Sequence, residues 1–129
     1  MIKQDHMAFQ VSNMDESLQF YTEMVGLRLV FRNVNAEEQE DYAFLELEGG
    51  NLELIQRLDD EPFEKPQIKP PFCPHLALAT DDMAQTLKMI EEKHIPVVKG
   101  PLEIAGAERW VYISDPDNNV IEYIQWLSK

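Results

Sequence analysis

His6 and Glu53 stand 47 residues apart, and His75 and Glu122 repeat that separation. Both residues recur at an offset of 69, and their surroundings recur with them. His6-Met7-Ala8-Phe9 answers His75-Leu76-Ala77-Leu78, and Leu52-Glu53-Leu54-Ile55-Gln56 answers Ile121-Glu122-Tyr123-Ile124-Gln125. A lone strand histidine is usually hydrogen-bonded or at the surface, and a lone strand glutamate is usually solvated. Independent surface residues have no reason to recur together, so the repeat reads as half of a metal site made twice. Two imidazoles and two carboxylates suit a divalent first-row ion, with imidazole favouring Zn, Ni, Co or Fe and carboxylate also suiting Mn. Four such ligands on a six-coordinate ion leave two positions for water or substrate oxygens. An ion held in this way polarises a carbonyl and stabilises an enediolate, while a neighbouring carboxylate moves the α-proton.

The elements around these residues must put them on one kind of surface. His6 to Val11 alternates like a strand, with His6, Ala8 and Gln10 on one face and Met7, Phe9 and Val11 on the other. Ser12 is the expected cap of a helix carrying Met14, Leu18, Tyr21 and Val25 on one side, and Gly26 supplies its left-handed stop. Leu27 to Phe31 reads as the next strand, and Tyr42 to Leu47 with Asn51 to Leu58 as a hairpin around Glu48-Gly49-Gly50. The second half repeats the order. His75 to Ala79 is a strand, and Thr80-Asp81-Asp82 caps a helix bearing Met83, Leu87 and Ile90. Pro96 is expected to stop that helix, with His94 as a favourable charge at its C-terminus. Strands begin at Val97-Val98 and follow at Trp110 to Ile113 and Val120 to Trp126, the last two joined by the turn Asp115-Pro116-Asp117-Asn118-Asn119. In both halves the His and Glu fall opposite the large apolar set, and Ala8, Ala77 and Ala79 leave room above that face. The reading is α+β, with two tandem βαβββ modules at about 1–58 and 75–129. A linker at about 59–74 holds Pro62, Pro66, Pro70, Pro71 and Pro74.

Composition narrows the partners. The chain has 129 residues, 44% hydrophobic and 27% charged, which describes one ordinary globular domain. Its formal charge is −13, and residues 1–64 hold 15 Asp/Glu against 4 Lys/Arg. Nucleic acid and anionic membranes are recognised through clustered Lys and Arg, so both are disfavoured. The acidic run Glu37-Glu38-Gln39-Glu40-Asp41 reads as a solvated loop. Apolar runs fall short of the roughly 20 residues of a membrane span. Met1-Ile2-Lys3-Gln4-Asp5 leads directly into a strand-like run, unlike a secretory signal. The single cysteine, Cys73, reads as a plain thiol and fits a reducing cytoplasm.

The chain resembles the glyoxalase I / vicinal oxygen chelate superfamily (glyoxalase, bleomycin resistance and dioxygenase proteins). The resemblance is carried by His6 with Phe9-Gln10-Val11, by Ser17-Leu18-Gln19-Phe20-Tyr21 with Gly26-Leu27, and by Leu52-Glu53-Leu54-Ile55. Pro74-His75-Leu76-Ala77 and Asp115-Pro116-Asp117-Asn118-Asn119-Val120-Ile121-Glu122 complete it, so it spans almost the whole chain. It implies paired modules whose mixed sheets curl around a metal-binding cleft, with His6, Glu53, His75 and Glu122 as ligands. A glutamate at position 53 tilts the pattern toward glyoxalase I, because ring-cleaving dioxygenases and fosfomycin-modifying transferases of the family typically use two His and one Glu. The implied activity is that of a cytoplasmic, metal-dependent lyase (Ni, Zn, Co or Mn) acting on a 2-oxoaldehyde–thiol hemithioacetal through an enediolate. Glu122 or Glu53 would be the base. Alternatives within the family are an epimerase, an Fe(II) dioxygenase, or a non-catalytic antibiotic-binding protein. Family members of this length are commonly homodimers, and modules pair within a chain or across two chains. Asn118 stands where the family usually has Gly. Arg32 and Arg109 are the candidates for binding an anionic substrate, with a plain surface role as the alternative for each.

Overall fold

Alternation decides what each strand buries, and the computed structural model shows the result in both halves of the chain. It describes residues 1–128, and these fall into two compact units divided between Lys65 and Pro66. The first unit runs β1 (His6–Gln10), α1 (Met14–Gln19), β2 (Leu29–Asn35), β3 (Glu40–Leu47) and β4 (Gly50–Arg57). The second runs β5 (His75–Ala79), α2 (Met83–Glu92), β6 (Val97–Ile104), β7 (Glu108–Ser114) and β8 (Val120–Trp126). Each is a βαβββ module with a four-stranded mixed sheet, ordered β1-β4-β3-β2 and β5-β8-β7-β6. In both, the first and last strands pair in parallel and the others are antiparallel. The sheets are open, not closed barrels. The break between the units falls inside the proline-rich segment.

In the first unit Phe9, Leu52, Leu54, Ala43 and Leu45 are buried, together with Met14 and Tyr21 from the helical segment. In the second, Leu76, Ile121, Tyr123, Val111 and Ile113 are buried with Met83 and Ile90. The helices therefore dock on the apolar faces, and His6, Glu53, His75 and Glu122 are left on the opposite ones.

Several local expectations shift. The first cap is Asn13, not Ser12: its side chain accepts from Glu16 N–H at 3.1 Å. Asp82 caps α2 in the same way, accepting from Gln85 N–H at 3.0 Å. After Gln19 the helix widens into a π-helical turn, Phe20–Met24. Gly26 follows at φ +87°, and Leu27 N–H donates back to the Tyr21 carbonyl, so Leu27 still closes the helix and β2 begins two residues later. That strand continues to Asn35, beyond the expected Phe31, through its pairing with β3; it is an edge with every residue exposed, so no buried alternation marks its end. α2 ends before Pro96: His94, at φ +55°, occupies the left-handed position that Gly26 holds in the first unit. Asn118 has φ +66°, as expected of an asparagine at that turn.

Candidate functional site

Register places the repeated residues in matching rows. Ala8, Glu53, Phe44 and Phe31 lie side by side across the first sheet, and Ala77, Glu122, Tyr112 and Lys99 across the second. Residues directly opposite one another share a face, so each row is a surface on the side away from the helix. His6 and His75 sit two positions before the alanines and on the same faces.

Within each unit the pair meets. His6 Nε2 lies 3.3 Å from Glu53 Oε1, and His75 Nε2 lies 2.9 Å from Glu122 Oε1. The other ring nitrogen is also anchored: His6 Nδ1 is 2.7 Å from Asp5 Oδ2, and His75 Nδ1 is 3.0 Å from the Phe72 carbonyl. Each ring therefore faces an oxygen acceptor at both nitrogens, and a neutral imidazole, with one N–H, can serve only one of them. With the hydrogen on Nδ1, the Nε2 lone pair and the carboxylate are left facing each other, an arrangement that a cation between them satisfies. The donor types and their aim therefore fit a divalent ion, with an anchored Nδ1–H of the kind that orients metal-bound histidines. Among the described residues no three His, Cys, Asp or Glu side chains cluster in ligating geometry, so each unit by itself presents a pair.

Aromatic rings flank both pairs. Phe44 lies 5.1 Å from the His6 ring and stacks on Phe31 at 5.0 Å, while Tyr112 meets His75 edge-on at 5.5 Å and Phe72 at 4.9 Å. Burial, and then the Glu122 charge, push the Tyr112 hydroxyl above its ordinary range, so it stays neutral.

The two arginines stand elsewhere. Arg32 is in register with buried Ala43, on the face opposite Glu53. Its Nη2 and Nε donate to Asp41 at 2.8 and 3.1 Å, and its Nη1 to Asp15 at 2.7 Å. Hydrogen bonds to Asp41 and then Asp15 hold the guanidinium well above its ordinary pKa. Asp41 is correspondingly buried, which corrects the reading of the whole acidic run as solvated loop. Arg109 is in register with Gln125, on the face opposite Glu122, and pairs with Glu103. Neither arginine shares a face with its own unit's His–Glu pair.

Sequence reasoning missed Asp5, Phe44, Tyr112 and the Phe72 carbonyl. Phe44 and Tyr112 recur at an offset of 68, a near-repeat that a search tolerating one deletion would find. Gln56 and Gln125 were visible as repeats without a role. Their Oε1 atoms accept from Met14 and Met83 N–H at 2.8 and 3.0 Å, tying each helix start to its sheet.

Comparison with known proteins adds a family to this geometry. The sequence model of the Glyoxalase/Bleomycin resistance protein/Dioxygenase superfamily matches residues 3–123. A probable lactoylglutathione lyase from Vibrio cholerae is 30% identical over 125 residues, covering 93% of this chain and 88% of that protein. A glyoxalase family protein from Enterococcus faecalis shares the fold with a TM-score of 0.75 at 22% identity, over 92% of this chain and 94% of its own. So does TnmS3, an antibiotic-binding protein from Streptomyces sp. CB03234, with a TM-score of 0.71 at 23% identity, over 98% and 97%.

Proposed function

The chain belongs to the glyoxalase/bleomycin resistance protein/dioxygenase superfamily, and from that premise we propose that it is a metal-dependent lyase of glyoxalase I type. The observation that carries the reading is the duplicated pair, in which a histidine Nε2 faces a glutamate Oε1 while its Nδ1 is anchored. His6, Glu53, His75 and Glu122 would hold the divalent ion (Ni, Zn, Co or Mn), in one chain or in a homodimer that shares sites. When bound, the ion supplies polarisation of the substrate carbonyl and hydroxyl oxygens, which acidifies the adjacent C–H. The substrate is a 2-oxoaldehyde–thiol hemithioacetal. A glutamate carboxylate takes the proton from its hydroxyl-bearing carbon and returns it to the neighbouring one, turning the hemithioacetal into a hydroxyacyl thioester through an enediolate. Ala8 and Ala77 leave space beside the carboxylates, and the Phe44 and Tyr112 rings exclude water from one side of each pair.

The test is thioester formation from methylglyoxal with a panel of thiols, glutathione included, after loading the protein in turn with Ni, Zn, Co and Mn. Turnover that a chelator abolishes and added metal restores is expected. No turnover with any thiol and any of the four metals would remove the proposal.

A further inference from the structure

The two histidines are anchored by acceptors of different charge. His75 Nδ1 faces the neutral carbonyl of Phe72, whereas His6 Nδ1 faces the Asp5 carboxylate at 2.7 Å. Asp5 is held in place by the sheet: Asn51 N–H donates to its carbonyl at 2.9 Å, extending the β1–β4 ladder by one residue. A charged acceptor pulls harder on Nδ1–H than a neutral one, and so leaves Nε2 the stronger electron donor. With its side chain 82% exposed, Asp5 gains little folding stability from this contact. The consequence of the pairing falls on the ligand.

We propose that Asp5 is a positioning residue for His6, making His6–Glu53 the tighter of the two half-sites for the divalent ion. This rests on the metal reading above. It makes the two pairs unequal although their first-rank residues are identical. Asp5 holds His6 as the Nδ1–H tautomer before any ion arrives and raises the affinity of Nε2 for it.

The experiment uses the full chain. Zinc affinity is measured by competition with a chromophoric chelator for wild type, Asp5→Asn, Asp5→Ala, His6→Ala and His75→Ala. Long-range proton–nitrogen spectra of the metal-free protein report the His6 tautomer. Wild type should show His6 with Nδ1–H. Asp5→Ala should bind zinc about 10-fold to 100-fold more weakly, the range found for outer-shell partners of metal-bound histidines. Asp5→Asn keeps an acceptor and loses the charge, and should fall between. His6→Ala should lose more affinity than His75→Ala. Melting temperatures of the metal-free Asp5 variants should match wild type, separating an effect on the ligand from a folding defect. Equal zinc affinity in wild type and Asp5→Ala, or an Nε2–H tautomer in wild type, would overturn the inference and leave the metal site standing. A wild-type protein that binds no zinc would remove the site and the inference together.

Discussion

At corresponding places in the repeat, the first unit has a charged network and the second has an open cavity. Arg32, Asp41 and Asp15 bridge β2, β3 and α1 in the first unit. Register and the shared helix caps make Gly100, Arg109 and Ala84 their counterparts. Gly100 has φ +109°, and a Cβ there would meet the Trp110 carbonyl oxygen at 3.1 Å, so an arginine in that position would be strained. A cavity of about 340 Å³, lined by Met83, Ala84, Leu87, Leu102 and Arg109 among others, opens there instead. The faces carrying His and Glu keep their pattern while the faces under the helices diverge. The likeness between the units is thus kept on one surface of each sheet, while the other surface solves its packing in two different ways.

The sharpest way to break the likeness of the two units is at the carboxylates. Glu53→Gln and Glu122→Gln should each lower turnover of the metal-loaded protein. The one that serves as base should lose about 10²- to 10⁴-fold in kcat even at saturating metal, whereas the other should lose chiefly metal affinity. Steady-state kinetics alongside metal titration would separate them, and equal kcat losses at saturation would contradict a single base.

A smaller contrast is expected in stability. Arg32→Leu leaves buried Asp41 without its guanidinium, and with Arg32 itself partly exposed the cost should be about 1–2 kcal/mol. Arg109→Leu removes only a half-exposed pair and should stay within about 0.5 kcal/mol. Urea denaturation of both variants tests the contrast, and equal losses would undo it.

The smallest effect concerns one core position. Tyr123 stands where the first unit has Leu54, and its buried hydroxyl has no hydrogen-bond partner among the described residues. Burial pushes that hydroxyl up to about 12. Unfolded tyrosine ionises near about 10, so between those values the unfolded chain loses the proton first and stability falls as pH rises. Tyr123→Phe should leave neutral-pH stability unchanged or raise it by up to about 1 kcal/mol. It should also flatten the loss above pH 10. Thermal melts from pH 7 to 11 would show both, and a clear destabilisation at pH 7 would mean that the hydroxyl is satisfied.

Most of the architecture was legible because strand alternation is a local signal. His75–Ala79 and Val120–Trp126 lie where the apolar pattern puts them, and the opposition of Glu53 to Leu52 and Leu54 follows from a period of two. β2 was misplaced because an edge strand with no buried residue carries no such signal. The cap moved from Ser12 to Asn13 because either side chain can accept a helix N–H, and the backbone geometry of the turn chooses between them.

The sequence by itself determined that a His and a Glu recur on corresponding strand faces, since both chain spacing and alternation are one-dimensional. Only the tertiary structure decided what surrounds them. The approach of Nε2 to Oε1 within each unit and the turning of Arg32 and Arg109 to the opposite faces depend on sheet register, while Asp5 and Phe72, one and three residues before their histidines, meet Nδ1 through the local path of the backbone. Register brings together residues tens of positions apart, and no local pattern encodes which of several neighbouring oxygens a ring nitrogen will meet.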